Sequence, residues 1–182
     1  MMIKLYHIVK CIKDVKKCMP KFEFLMKKYY ILYIINHKVQ KKPMTKEQAK
    51  YFPQTKEELR NLIKRRIKEE GNEVNLNDID VSAITDMSEL FAYNRDFNGD
   101  ISSWDVSNVI SMNSMFDRCE SFNQDLSKWN VSNVTDMMYM FYNCKSFNKD
   151  ISKWNVSNVR YHLAIFYNCP IKDEYKPKFK YI

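Results

Sequence analysis

Phe91, Phe116, Phe141 and Phe166 are spaced 25 residues apart, and the text around them nearly copies itself. Trp104-Asp-Val-Ser-Asn-Val109 returns as Trp129-Asn-Val-Ser-Asn-Val134 and again as Trp154-Asn-Val-Ser-Asn-Val159. A fixed period of this length marks a chain whose units cover one another's apolar faces. The expected fold class is therefore an α/β repeat solenoid, with copies at 75–99, 100–124, 125–149 and 150–174. Within a copy, Phe147 to Trp154 alternates apolar with polar and predicts an extended stretch pairing with its neighbours. Val131-Ser-Asn-Val134 predicts a turn. A short helix over 136–143 follows, capped by Asn133 or Thr135, with Met137, Met140 and Phe141 on one side and Asp136 suiting the helix dipole.

The end copies depart from the pattern, as capping units do. Ile79 stands where later copies hold Trp, Asn94 where they hold Cys, and Arg160 and His162 where the previous copy holds Thr135 and Met137. Ahead of the array, Thr55-Lys-Glu-Glu58 is a capping-box pattern. Leu59, Leu62, Ile63 and Ile67 mark one helical face, Arg60, Lys64, Arg65 and Lys68 the other, and Gly71 suits the C-terminal end. This predicts an amphipathic helix that shields the first edge of the array. The organisation reads as a basic segment 1–52 of open fold, a capping helix 53–74, the array 75–174 and a basic tail 175–182. Ile3 to Val9 and Tyr29 to Ile35 fit strands or short buried helices equally well.

Two glycines in 182 residues argue against a phosphate-cradling loop. Residues 1–74 carry 19 Lys and Arg against 8 Asp and Glu, while residues 75–182 carry 11 against 14. The basic half suits nucleic acid or an anionic membrane as an alternative role, although a solvated lysine-rich surface accounts for it more simply. Lysines at 4, 10, 13, 16 and 17 interrupt any signal-like apolar run, and the seven residues Tyr29 to Ile35 are too few to span a bilayer. The expectation is a chain with no transmembrane segment and no signal peptide, hence a cytoplasmic one.

Trp129 to Met137, Met140-Phe-Tyr-Asn-Cys144 and Phe147-Asn-Lys-Asp-Ile151 together resemble the repeat of BspA-like leucine-rich repeat surface proteins. The resemblance covers about residues 75–170. It implies a right-handed, leucine-rich-repeat-like stack with short parallel strands, and protein binding or adhesion at the cell surface. It implies no catalytic residue.

No catalytic constellation emerges: His7, His37 and His162 lack partners in any triad or metal-binding spacing, so no catalytic, cofactor or metal site is expected. Cys119, Cys144 and Cys169 recur in one column, read as small buried thiols rather than a redox or zinc set. The columns Asn98, Asn123, Asn148 and Asp100, Asp125, Asp150 read as partners for turn backbone groups, and Trp104, Trp129 and Trp154 as packing. Variable columns are where a partner surface has room to evolve: Glu89, Ser114, Tyr139, Ala164; Ala92, Asp117, Tyr142, Tyr167; and Tyr93, Arg118, Asn143, Asn168. Tyr and Arg anchor interfaces, so Tyr93, Arg118, Tyr139, Tyr142 and Tyr167 are the candidate contacts. The expected function is a non-enzymatic module binding a protein partner, with nucleic acid disfavoured.

Overall fold

The computed structural model describes residues 49–180, all within the unit Pro43–Ile182. The expectations for residues 1–48, including His7, His37 and the Tyr29 to Ile35 run, lie outside the described residues.

Helix α1 spans Lys56–Glu70. Thr55 caps it by accepting from the Glu58 N–H at 3.2 Å, and Glu58 in return accepts from the Gln54 N–H at 2.8 Å. Gly71 ends it with φ at 91°, a conformation that glycine adopts without a Cβ clash, and its N–H reaches the Ile67 carbonyl. Leu59 and Ile63 are fully buried, while Leu62 and Ile67 pack at the margin of the core.

The α/β repeat solenoid expected from the period is overturned. Among the described residues, α1 is the one α-helix, and there is no continuous strand and no sheet. Parallel pairing occurs only as isolated bridges, as at Asp86 with Ser111, Ser111 with Asp136, and Asp136 with Tyr161. The reason lies in the backbone. The stretch 136–143, expected as a helix, holds Tyr139 and Asn143 at φ of 56°. The same positive φ recurs at Glu89 and Tyr93, Ser114 and Arg118, and Ala164 and Asn168. A left-handed residue every four positions prevents a helical run and interrupts a pleated one. Successive residues instead divide their N–H groups between two duties. Met140, Tyr142 and Cys144 donate back three residues, to Met137, Tyr139 and Phe141. Met137, Tyr139, Phe141 and Asn143 donate across to Tyr161, Leu163, Ile165 and Tyr167 of the next 25-residue segment, at 2.7 to 3.0 Å. The pattern also runs from Met112 to Arg118 into Asp136 to Tyr142, and from Met87 to Tyr93 into Ser111 to Asp117.

The interior follows the period. Phe91, Phe116, Phe141 and Phe166 stack at centroid separations of 5.5, 5.5 and 5.8 Å, and Phe97, Phe122 and Phe147 form a second file at 5.9 and 6.0 Å. Trp104, Trp129 and Trp154 are buried, and each indole N–H donates to a carbonyl of the preceding segment, at Leu76, Ile101 and Leu126. The amide oxygens of Asn98, Asn123 and Asn148 accept from the N–H of Asn123, Asn148 and Lys172. Asp100, Asp125 and Asp150 accept from the N–H two residues on, forming Asx turns.

Left-handed positions filled by residues other than glycine predict a gain on mutation. Glu89 is exposed with φ at 56°. Relieving that conformation outweighs the entropy glycine adds to the unfolded chain. Glu89→Gly is expected to stabilise the fold by about 0.5–1 kcal/mol, and Glu89→Val to destabilise it by more than that. Urea midpoints of both variants check the sign.

Candidate functional site

Because the same turn recurs in every segment, the variable columns come to lie side by side on its outer surface. The turn brings the five candidate side chains into two neighbouring clusters. In the first, the Arg118 guanidinium lies 5.5 Å from the centre of the Tyr93 ring, a cation–π contact. Arg118 Nε is 3.9 Å from Asp117 Oδ1, beyond hydrogen-bonding distance, and neither atom has a hydrogen-bond partner among the described residues although both are buried. Burial raises the Asp117 carboxyl above the usual range, against the opposing pull of Arg118 and a hydrogen bond from Tyr93. In the second cluster, Tyr139 meets Tyr142 edge-on at 5.7 Å, and Tyr142 stacks on Tyr167 at 4.9 Å. The Arg118 N–H donates to the Tyr142 carbonyl at 2.8 Å, so adjoining backbone joins the clusters. Tyr93 and Tyr167 are 68% and 61% exposed, enough to present most of a ring to a partner.

This surface offers aromatic rings, one guanidinium and a carboxylate. Among the described residues no three His, Cys, Asp or Glu side chains gather as metal ligands, and no helix is long and apolar enough to cross a membrane.

The cysteine column is interior. Cys119 and Cys144 are fully buried free thiols whose Sγ atoms donate to the carbonyls of Phe91 and Phe116, and Cys169 is half-buried. Burial pushes all three thiols up from their ordinary value of 9.0. Of these three, iodoacetamide at pH 8 is expected to label Cys169 first and to leave Cys119 and Cys144 unmodified in the native protein, as peptide mass spectrometry reads out. Since the unfolded thiols ionise near pH 9 and the folded ones do not, the folded state holds more protons above that pH. Their contribution to stability is therefore complete below pH 9 and declines as pH rises beyond it.

Two features escaped sequence reasoning. Tyr161 and Leu163 are 58% and 62% exposed in the final segment. One column turns from polar to aromatic only there, Asp86, Ser111, Asp136, then Tyr161, and the other turns apolar one segment earlier, Ser88, Asn113, Met138, then Leu163. Arg66, on α1, is 7% exposed. It holds Asp78 through two bonds of 3.0 and 3.2 Å, donates to the Asn75 carbonyl, pairs with Glu70, and lies over the Tyr51 ring. Its sequence neighbourhood gave no sign of this, being one more basic residue in Lys64-Arg-Arg-Ile67.

Residues 58–177 match the family described as "Mycoplasma protein of unknown function, DUF285". The chain belongs to that family. No curated protein and no solved structure matches it. The matched span contains both tyrosine clusters and most of α1, so this DUF285 domain carries the whole candidate face.

Proposed function

We propose that this protein is a non-catalytic binding module that engages another protein through the face from Tyr93 to Tyr167. The observation that carries the reading is the join between the two clusters. Tyr139, edge-on to the stacked Tyr142 and Tyr167, lies with them beside the Arg118–Asp117 pair, whose facing atoms Arg118 Nε and Asp117 Oδ1 are buried without a hydrogen-bond partner among the described residues while the rest of the guanidinium stays exposed. Tyrosine and arginine in that setting contribute much of the binding energy at protein interfaces. Groups desolvated before a partner arrives also lose less on binding. The finer resemblance to BspA-like leucine-rich repeat surface proteins supports adhesion to a protein at the cell surface as the setting.

The test is quantitative capture by the full chain, with chemical cross-linking to identify what is bound. Arg118→Glu and Tyr142→Ser are expected to weaken capture of a given partner at least tenfold without moving the far-UV spectrum. Lys128→Glu, an exposed change outside the face, leaves it unaltered. Equal capture by all three variants defeats the reading.

A further inference from the structure

The final 25-residue segment is finished on one side only. On the side of Ile151, residues further along take the place of a following segment: the Ile151 N–H donates to the Tyr175 carbonyl at 3.0 Å, and Lys172 continues the asparagine ladder from Asn148. His162 stacks on Phe179 at 4.5 Å, and Lys176 lies over the Phe166 ring, covering the end of the phenylalanine file. On the opposite side, among the described residues, no backbone takes the corresponding place, although the Phe179 and Lys176 side chains lie over His162 and Phe166. Met137, Tyr139, Phe141 and Asn143 all donate across to the next segment, but among the described residues their counterparts His162, Ala164, Phe166 and Asn168 have no acceptor for their N–H groups. The carbonyl of Arg160, whose counterpart Thr135 accepts from the N–H of Arg160 itself, likewise has no described donor.

This edge has a fixed polarity. It reads as one acceptor at Arg160, then four donors at every second residue. Two copies of the edge brought together would set donor against donor, so a symmetric pairing with a second copy is unfavourable. The complement is a segment that offers one N–H and then carbonyls at every second residue, as each segment offers to the one before it. Charge selects further. Residues 75–159 hold 12 Asp and Glu against 6 Lys and Arg, but 160–180 hold 5 Lys and Arg against 2 Asp and Glu. Lys176 pairs with Asp173 and Lys172 with Glu174, while Arg160, Lys178 and Lys180 make no ion pair among the described residues. Arg160 and Lys180 line one shallow recess beside this edge. Exposed Tyr161, Leu163 and Tyr167 supply apolar contact.

The geometry points to a second interaction surface at residues 160–168, which takes an acidic segment of a partner polypeptide laid along it where a further segment would lie. This surface goes beyond the face from Tyr93 to Tyr167, with which it shares Tyr167 alone, and does not depend on that face binding anything. Main-chain bonding supplies alignment, and the carboxylates answer Arg160, Lys178 and Lys180.

The probe is a nine-residue peptide alternating glutamate with valine, added to the full 15N-labelled chain, against a lysine–valine peptide of the same length. The expected result is at least tenfold slower hydrogen exchange at the amides of His162, Ala164, Phe166 and Asn168 at saturation, with the glutamate peptide only. Raising salt from roughly 50 to 500 mM weakens that binding. The triple variant Arg160→Glu, Lys178→Glu, Lys180→Glu abolishes the protection while keeping the native spectrum, and Leu163→Ser weakens it should the triple variant misfold. Three results overturn the inference: no protection at millimolar peptide; equal protection by the lysine peptide; or protection that grows with protein concentration in the absence of peptide, which makes a second copy the occupant. Shifts confined to Tyr93, Arg118 and Tyr142 also overturn it, and leave the reading of that face intact.

Discussion

Phe141→Ala is expected to cost about 3–5 kcal/mol of stability, the range for truncating a fully buried aromatic. Phe141 has no exposed surface. Its ring stacks on Phe147 at 4.2 Å within its own segment, on Phe116 at 5.5 Å and Phe166 at 5.8 Å in the segments on either side, and lies 6.4 Å from Trp154. The cavity left by alanine faces three segments whose backbones are already fixed by cross-segment hydrogen bonds, so collapse around it is restricted. Phe166→Ala provides the contrast, because that ring is only partly buried and its loss leaves a gap that water reaches. Urea denaturation with a shared slope checks both. A loss under roughly 1 kcal/mol at Phe141 contradicts the idea that the phenylalanine file holds the segments together.

Arg66→Ala is expected to cost roughly 2–3 kcal/mol. Breaking a buried ion pair by removing one partner costs about 3–5 kcal/mol when the other charge is stranded away from water. Here the Asp78 and Glu70 side chains stay 22% and 48% exposed, so solvent recovers part of that loss. The rest comes from the unpaired Asn75 carbonyl and the uncovered Tyr51 ring. The guanidinium binds both Asp78 oxygens while lying over the Tyr51 ring, which an ammonium cannot reproduce. Arg66→Lys is thus expected to recover less than half of the loss. A double-mutant cycle with Asp78→Asn isolates the pair; a coupling near zero removes Arg66 as the clamp between α1 and the first 25-residue segment.

The helix was legible because its signals are local: a cap at Thr55, an apolar face built on Leu59 and Ile63, and a glycine at its end. The core was legible because burial recurs with the 25-residue period, so Phe116, Trp129 and Met137 each announce their counterparts. The short helix expected over 136–143 failed for a reason composition hides. Tyr139 and Asn143 adopt a left-handed conformation that glycine usually marks, and the chain keeps only two glycines. The pleated run expected from Phe147 to Trp154 failed too: the Ser152 N–H closes an Asx turn on Asp150, the Trp154 N–H turns back to Ile151, and the Trp154 indole donates to Leu126 of the preceding segment, so no ladder forms. Arg66 and Asp78 are 12 residues apart, and nothing in the periodicity connects them.

Which side chains share the interior was written in the spacing of the chain, because an apolar group has to leave water wherever the backbone takes it. Where each N–H goes was settled only by folding. While Met140, Tyr142 and Cys144 bond three residues back, Met137, Tyr139, Phe141 and Asn143 find acceptors 24 residues away in the next segment, and no local propensity encodes a partner at that distance. The tyrosine face and the one-sided edge at Arg160 to Asn168 arise from those bonds, so they become visible only once the segments lie against each other.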